Sequence, residues 1–311
     1  METFTATARS EFGVWVDEGV PFSASRFSEL RHNFHQHPLM QLPALAKLAT
    51  RLVETEQCRF IMPGAKLDSE FDHASSSPDG RGVGEVFDRI EEPGSWVALY
   101  NVQTDPEYRS FVEEVASSVR PLVEAEQPGM YNVGGFIFIS APPAVTPFHI
   151  DRENNFWLQV RGQKTMYLWD HRDRSVVGAE DVDSFIVHGG LNRVKLRDGA
   201  IERASKFVTQ PGVCLYFPST SPHMTESDPD WVTPGDGVSI SIGVVFYTAK
   251  TRSDAYIHAA NNTLRRFGFK PSLPGATTDG LKGALGRAIV SLRSRFRGYV
   301  PNASFKEPGA G

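Results

Sequence analysis

Short apolar runs, each ended by a turn, dominate the sequence from residue 131 to residue 246. Glycine and proline separate these runs at close intervals, which favours a β-sandwich or barrel over alternating strands and helices. We therefore expect a mainly β core, closed as a jelly roll, with helical additions. The predicted strands cover residues 135–140, 148–151, 156–160, 164–169, 185–187, 205–209, 213–217 and 238–246.

Mixed α and β patterns precede this core, and helical patterns follow it. We expect an N-terminal α+β region over residues 1–130 that packs on the barrel, a β core over 131–248 and a basic helical region over 249–311. Asp105 and Pro106 form a typical helix start, and the helix that they open is interrupted or kinked near Pro121. The predicted helices cover residues 42–52, 83–90, 105–126, 253–267 and 281–296, and two further strands cover 58–62 and 95–102.

The cysteines and the N-terminus indicate the compartment. Cys58 and Cys214 are far apart, and each lies in an apolar run, which is typical of buried free thiols in a reducing environment. The first residues lack the apolar centre of a secretory signal. No uninterrupted apolar run is long enough to span a bilayer. We expect a cytoplasmic protein that does not act in a membrane.

The net charge of −5 is unevenly distributed. Residues 249–299 carry ten Lys and Arg against two Asp, so the rest of the chain is acidic. The last predicted helix has an apolar stripe, which must be buried somewhere. We favour homodimerisation through this stripe over packing on the chain's own barrel, and nucleic-acid contact is the least supported because aromatic residues are sparse. The stripe consists of Leu281, Leu285, Ala288, Ile289, Leu292 and Phe296.

A histidine and a carboxylate lie two residues apart in the middle of the core. Side chains at this spacing on an extended chain lie on one face of a sheet, so His149 and Asp151 can bind one metal. Two histidines and one carboxylate form the facial triad of non-haem Fe(II) oxygenases. The best second histidine is His223, which follows an apolar strand and a proline.

The order of these residues resembles a known family. Thr-Pro-x-His-x-Asp at residues 146–151, Asn-Phe at 155–156 and Gln-Val-x-Gly-x-Lys at 159–164 are similar to JmjC and cupin-like Fe(II)/2-oxoglutarate oxygenases. The branch that they resemble most is that of the asparaginyl hydroxylase that inhibits the hypoxia-inducible factor. The glycine, proline and histidine before and at residue 223 also have the spacing of the second cupin motif. The resemblance covers about a third of the chain, from residue 135 to residue 246.

This resemblance implies a fold, two cofactors and a set of site residues. The fold is a double-stranded β-helix, the metal is Fe(II) and the cosubstrate is 2-oxoglutarate. The implied iron ligands are His149, Asp151 and His223. Lys164 and Thr146 would hold the distal carboxylate of 2-oxoglutarate, which agrees with the need of a buried ammonium for a counter-anion. The implied contacts nearer the metal are Asn155 and, from the preceding region, Tyr100.

The implied activity is hydroxylation, or N-methyl demethylation, of a protein, peptide or small molecule with release of succinate and CO2. Three positions depart from the family pattern: Thr220 and Ser227 replace a common Gly and Asn, and Gly243 replaces an Asn of the hydroxylase branch. These departures leave the triad intact and concern cosubstrate binding. Two alternatives stay open, a cupin metalloenzyme that does not use 2-oxoglutarate and a non-catalytic binding module whose basic tail contacts nucleic acid.

Overall fold

The computed structural model describes residues 11–61, 66–69, 73–231 and 237–307. They form two antiparallel sheets with helices around them. The strands are β1 Val14–Trp15, β2 Ser28–His32, β3 Cys58–Ile61, β4 His73–Ala74, β5 Trp96–Leu99, β6 Tyr131–Ser140, β7 Ala144–His149, β8 Asn154–Arg161, β9 Lys164–Leu168, β10 Ser205–Thr209, β11 Val213–Phe217, β12 His223–Ser227 and β13 Ser239–Tyr247. The helices are α1 Leu42–Val53, α2 Val83–Asp88, α3 Pro106–Glu124, α4 Ala179–His188, α5 Ala249–Arg266 and α6 Asp279–Arg297.

Eight consecutive strands, β6 to β13, form the core. In the larger sheet they lie in the order β11-β8-β13-β6, and in the smaller sheet in the order β10-β9-β12-β7. Except at the β9–β10 step, where both strands lie in the smaller sheet, each strand is followed by one in the opposite sheet, so the chain winds through both sheets as a double-stranded β-helix. The predicted fold, mainly β with helical additions, is confirmed.

The N-terminal strands extend the larger sheet at both of its edges. β2 pairs with β11 at one edge, and β5 pairs with β6 at the other. The sequence patterns predict no strand before residue 42, so β1 and β2 were not expected. The reason is that β1 has two residues and β2 reads Ser-Glu-Leu-Arg-His, a polar strand that buries only Leu30 and His32.

Helix α3 packs against β6 at a position that excludes a side chain. A Cβ atom on Gly135 would lie 2.7 Å from Val112 of α3 and 2.8 Å from Val102. The helix begins as predicted, since the Asp105 carboxylate accepts hydrogen bonds from the backbone amides of the first turn. Pro121 lies inside the helix, which continues to Glu124.

The strand predicted at residues 185–187 is wrong, because these residues belong to α4. Val182, Phe185 and Ile186 are buried at helical spacing, and Glu180 and Asp181 occupy the first turn. A three-residue apolar run fits a buried strand and a buried helix equally well. Only the longer pattern from residue 179 onwards distinguishes them.

The C-terminal helices pack closely on each other. A Cβ atom on Gly286 of α6 would lie 1.8 Å from the carbonyl oxygen of Tyr256 in α5, so only glycine fits there. This contact turns the small-residue face of α6 inwards and leaves its apolar stripe outwards, with Leu281 78%, Leu292 61% and Phe296 71% exposed. In the described part of the chain, no helix has both the length and the apolar character needed to cross a membrane.

Candidate metal centre and cosubstrate cavity

Two histidines face each other at one end of the smaller sheet. His149 is the last residue of β7, and His223 is the first residue of β12, its partner in the antiparallel register. Their rings lie 4.0 Å apart between centroids. Strand pairing therefore brings together two histidines that are 74 positions apart in the sequence.

Asp151 lies beyond the end of β7, so the predicted strand at residues 148–151 is wrong in its position. The strand begins at Ala144 and ends at His149, where its pairing with β12 ends. Past that point the turn before β12 supports the chain, since the Thr220 amide donates to the Asp151 carbonyl oxygen at 2.8 Å. The Asp151 carboxylate still turns towards the histidines, with Oδ2 3.5 Å from Nε2 of His223.

The ligand atoms of His149, Asp151 and His223 all lie within 4.8 Å of one another. A single point therefore lies within about 2.8 Å of all three atoms, close to the roughly 2.0–2.2 Å of divalent-metal bonds to these donors. Two imidazoles and one carboxylate are the donor set that Fe(II) takes in a facial triad. The residues fit the implied metal.

Both histidines are oriented by backbone carbonyl groups. Nδ1 of His149 lies 2.7 Å from the carbonyl oxygen of Pro147, and Nδ1 of His223 lies 3.0 Å from that of Ser221. Nδ1–H donation to these oxygens leaves Nε2 as the metal-binding atom. Burial, and next the neighbouring His149, lower the pKa of His223 to about 4, so its ring is neutral at physiological pH, as metal ligation requires.

Lys164 lies in the same cavity and has no acidic partner. It is the first residue of β9 and is 2% exposed, and its Nζ donates to the Ser140 hydroxyl at 3.2 Å. Among the described residues, no carboxylate forms an ion pair with it. Burial alone lowers the pKa of this ammonium to about 8. A buried cation of this kind is stabilised by an anionic ligand.

The region between the metal ligands and Lys164 is lined by small polar side chains. Thr146 of β7 and Thr225 of β12 are register partners, and both line the cavity. Asn155 of β8 lines it too, and its Oδ1 is buried without a hydrogen-bond partner among the described residues. A Cβ atom on Gly243 would lie 3.0 Å from that Oδ1. Because Gly243 has no side chain, the Asn155 amide fits in the space beside it.

Tyr100 lies on the aromatic wall of the cavity, directly after β5. Its ring packs edge-on against Phe136 with 5.2 Å between centroids, and Phe138 is the next ring along the wall. Burial raises the pKa of the Tyr100 hydroxyl, and the charge of Asp151 raises it further. The phenol therefore stays protonated and can donate a hydrogen bond near the metal centre.

The cavity encloses about 220 Å³ and contains all seven residues predicted for the site. Sequence reasoning missed Glu153, whose carboxylate accepts a hydrogen bond from the Tyr247 hydroxyl at 2.5 Å. Burial raises the pKa of Glu153, and Asp151 raises it further. The sequence feature that could have indicated Glu153 is its position two residues after Asp151. The other lining residues that were missed are Phe136, Phe138, Trp157, Met166, Leu191, Thr225, Ser241 and Val245.

Comparisons with known proteins identify the fold. No protein-family model matches the chain, and no curated protein matches it. The structure of E. coli YcfD is 15% identical, with a TM-score of 0.50 over 96% of this chain and 71% of that chain. At this identity the likeness shows that the two proteins share a fold.

Two further solved structures were found at lower similarity. E. coli YcfD, described as a ribosomal oxygenase in complex with cobalt and 2-oxoglutarate, is 16% identical, with a TM-score of 0.46 over 92% of this chain and 69% of that chain. SnoK, described as a non-heme alpha ketoglutarate dependent carbocyclase from nogalamycin biosynthesis, is 13% identical, with a TM-score of 0.41 over 73% of this chain and 81% of that chain.

Proposed function

We propose that this protein is an Fe(II)- and 2-oxoglutarate-dependent oxygenase. The observation that supports the proposal most is that one cavity carries both a triad able to bind a metal and a buried lysine for which the described residues offer no acidic partner. A metal centre alone fits many cupin enzymes. A cosubstrate that chelates the metal at one end and carries a carboxylate at the other end accounts for Lys164 as well.

The chain's own residues would then divide the work between binding and positioning. His149, Asp151 and His223 hold Fe(II) and leave the rest of its coordination sphere open to the cavity. Lys164 and Thr146 bind the distal carboxylate, and Asn155 and Tyr100 contact the cosubstrate nearer the metal. Bound iron supplies the centre at which O2 and 2-oxoglutarate react to give succinate, CO2 and an oxidised substrate.

The substrate class is also part of the proposal. We propose hydroxylation of a protein or peptide side chain, with a small molecule as the other substrate class and N-methyl demethylation as the other reaction. Assignment to the asparaginyl hydroxylase branch is supported by the motif at residues 146–164 alone. The buried free thiols Cys58 and Cys214 agree with a cytoplasmic site of action.

The test measures cosubstrate turnover in the absence of a known substrate. Purified protein with Fe(II), 2-oxoglutarate and O2 is expected to release succinate slowly even without added substrate. Asp151→Ala is expected to abolish this release, and Glu113→Ala, which changes an exposed acid on α3, to leave it unchanged. A lysate protein or metabolite that is oxidised by wild type but not by Asp151→Ala would then be the substrate.

Other results would favour the two alternatives. Stoichiometric Fe(II) binding without any binding of 2-oxoglutarate would favour a different cupin metalloenzyme. A protein that binds neither, and whose salt-dependent binding to nucleic acid is unaffected by His149→Ala, would be a non-catalytic module.

We also propose that the chain forms a homodimer through α6. The support is the exposed apolar stripe of this helix, in which Leu281, Leu292 and Phe296 project away from α5. Light scattering is expected to give twice the mass of one chain for wild type and the mass of one chain for Leu292→Glu. Arg287→Glu, on the same helix but outside the stripe, is the matched control. A monomeric wild type at micromolar concentration would contradict this proposal.

A further inference from the structure

A second cavity lies behind the loop that carries Asp151, outside the metal centre. It encloses about 110 Å³. Its walls include Arg152 and Asn154 after the metal-binding loop, residues 218–220 before His223, His171, Arg172 and Arg174 of the following loop, and the first turns of α5. The side chains that matter for its chemistry are Arg152, Asn154, His171, Arg172, Arg174 and Lys250.

Three buried hydrogen-bond donors on this wall have no partner among the described residues. They are Nε of Arg152, Nε of Arg174 and Nδ2 of Asn154. Asn154 is 1% exposed, and its Oδ1 already accepts from the Ser219 amide at 2.9 Å, so the side chain is fixed with its amide nitrogen unsatisfied. Arg152 is fixed as well, because its Nη2 donates to the carbonyl oxygen of Phe185 at 2.8 Å. A buried donor without an acceptor destabilises the fold, so three such donors on residues of one cavity favour a ligand whose oxygens can accept from all of them.

Two carboxylates beside this cavity are already paired. Asp254 is paired with Lys250, whose Nζ lies 2.6 Å from its Oδ1. Asp183 is fully buried and accepts from His258 at 2.6 Å and from Arg265 at 2.7 Å. Neither acid is therefore available to the three unsatisfied donors.

Basic side chains outnumber acidic ones among the residues that line the cavity, with Arg152, Arg172, Arg174 and Lys250 against Asp254. Burial lowers the pKa of the His171 ring to about 4; Asp170 opposes this shift, whereas Arg172, Arg174 and Lys250 add to it. Arg174 forms no ion pair among the described residues, and burial lowers its pKa too. The N-terminus of the eighteen-residue helix α5, whose first residues line the cavity, adds a partial positive charge.

We propose that this cavity binds a small oxyanion with the size and charge of a phosphate group. Phosphate oxygens accept several hydrogen bonds at once and match guanidinium donors in geometry and charge. The bound anion would connect Arg174 to the 152–154 segment. The Thr220 amide also donates to the Asp151 carbonyl oxygen at 2.8 Å. The anion would therefore stabilise the contact between the segment after Asp151 and the segment before His223.

The test uses inorganic phosphate as the probe, with thermal unfolding and calorimetry of the full chain at constant ionic strength. Wild type is expected to show saturable binding and a rise in Tm, and acetate at the same ionic strength is expected to give neither. Methyl phosphate is the second arm. Tighter binding of methyl phosphate than of phosphate would assign a phosphate ester as the ligand, and binding of phosphate alone would assign the free ion.

Substitutions separate this cavity from the candidate cosubstrate site, which also attracts anions. Arg174→Met is expected to weaken phosphate binding at least tenfold and to fold at least as well as wild type, because it removes an unpaired buried charge. Arg172→Gln, an exposed position on the cavity rim, is expected to weaken binding severalfold. Arg295→Gln on α6 is the control and keeps wild-type affinity.

Lys164→Met determines which site binds the probe. This variant is expected to keep the phosphate response, since Lys164 lies in the other cavity. A response that is lost in Lys164→Met and kept in Arg174→Met would overturn the proposal, as would the absence of any saturable response in wild type. Neither result depends on whether the protein has oxygenase activity.

Discussion

Replacing Lys164 by methionine is expected to stabilise the protein and to weaken cosubstrate binding strongly. Burial lowers the pKa of this ammonium from 10.5 to about 8. Since one pKa unit corresponds to about 1.4 kcal/mol, burial penalises the charged form by about 3 kcal/mol at neutral pH. This penalty is fully present below pH 8 and disappears as the pH rises past 10.5, because the folded state prefers the neutral amine.

Methionine has a similar length, carries no charge and needs no counter-anion. We expect Lys164→Met to raise the free energy of unfolding by about 1–3 kcal/mol at pH 7 without cosubstrate, after the loss of its hydrogen bond to Ser140 is taken into account. The same change removes the charged partner of the distal carboxylate. The Kd for 2-oxoglutarate is therefore expected to rise at least about 100-fold, equivalent to about 2.7 kcal/mol.

Chemical denaturation and calorimetry with 2-oxoglutarate measure the two effects. Lys206→Met is the matched control, because Lys206 lies on the neighbouring strand β10 with an exposed side chain. It is expected to change neither quantity appreciably. A Lys164→Met protein that is less stable than wild type and binds 2-oxoglutarate equally well would refute the reasoning, since the ammonium would then be a structural group.

Three further predictions concern cosubstrate binding and stability. The Kd for 2-oxoglutarate, measured by calorimetry, is expected to rise about tenfold per pH unit above pH 8, because Lys164 must take up a proton to bind it; a flat profile would contradict this. Gly243→Ala places a Cβ atom 3.0 Å from Oδ1 of Asn155, and is expected to raise the KM for 2-oxoglutarate severalfold with little change in Tm. Asp183→Ala leaves the side chains of His258 and Arg265 without their carboxylate partner, and is expected to lower the free energy of unfolding by about 3 kcal/mol in urea titrations. An unchanged midpoint would show that water replaces the carboxylate as the hydrogen-bond partner of both side chains.

The sequence predicted the β core because its strands are short apolar runs separated by turns. It predicted the three metal-ligand candidates because the spacing of His149 and Asp151 survives a wrong strand boundary. Whether Asp151 belongs to the strand or to the loop depends on where β7 stops pairing with β12, and this pairing is a tertiary property. In the strand as in the loop, the Asp151 carboxylate points to the side on which the histidines lie.

Other features could not be predicted because they depend on distant contacts. Strand β2 has a polar sequence and forms only because β11 offers a free edge. The Asn155 amide occupies the space above Gly243 because β8 and β13 are neighbours. The sequence alone shows only that residue 243 is not the Asn of the hydroxylase branch, whereas the structure shows an Asn from the neighbouring strand beside that position. The second cavity brings together Arg152 and Asn154, the loop residues His171, Arg172 and Arg174, residues 218–220 and α5, and no short motif connects them.

The central claim is that one cavity binds a metal through His149, Asp151 and His223 and the carboxylate of 2-oxoglutarate through Lys164. Anomalous diffraction from crystals grown anaerobically with Mn(II) and 2-oxoglutarate tests it most directly. The account predicts one anomalous peak within about 2.0–2.3 Å of the three ligand atoms, with continuous density from the metal to Nζ of Lys164. A peak elsewhere, or a filled metal site with no ligand at Lys164, would contradict it.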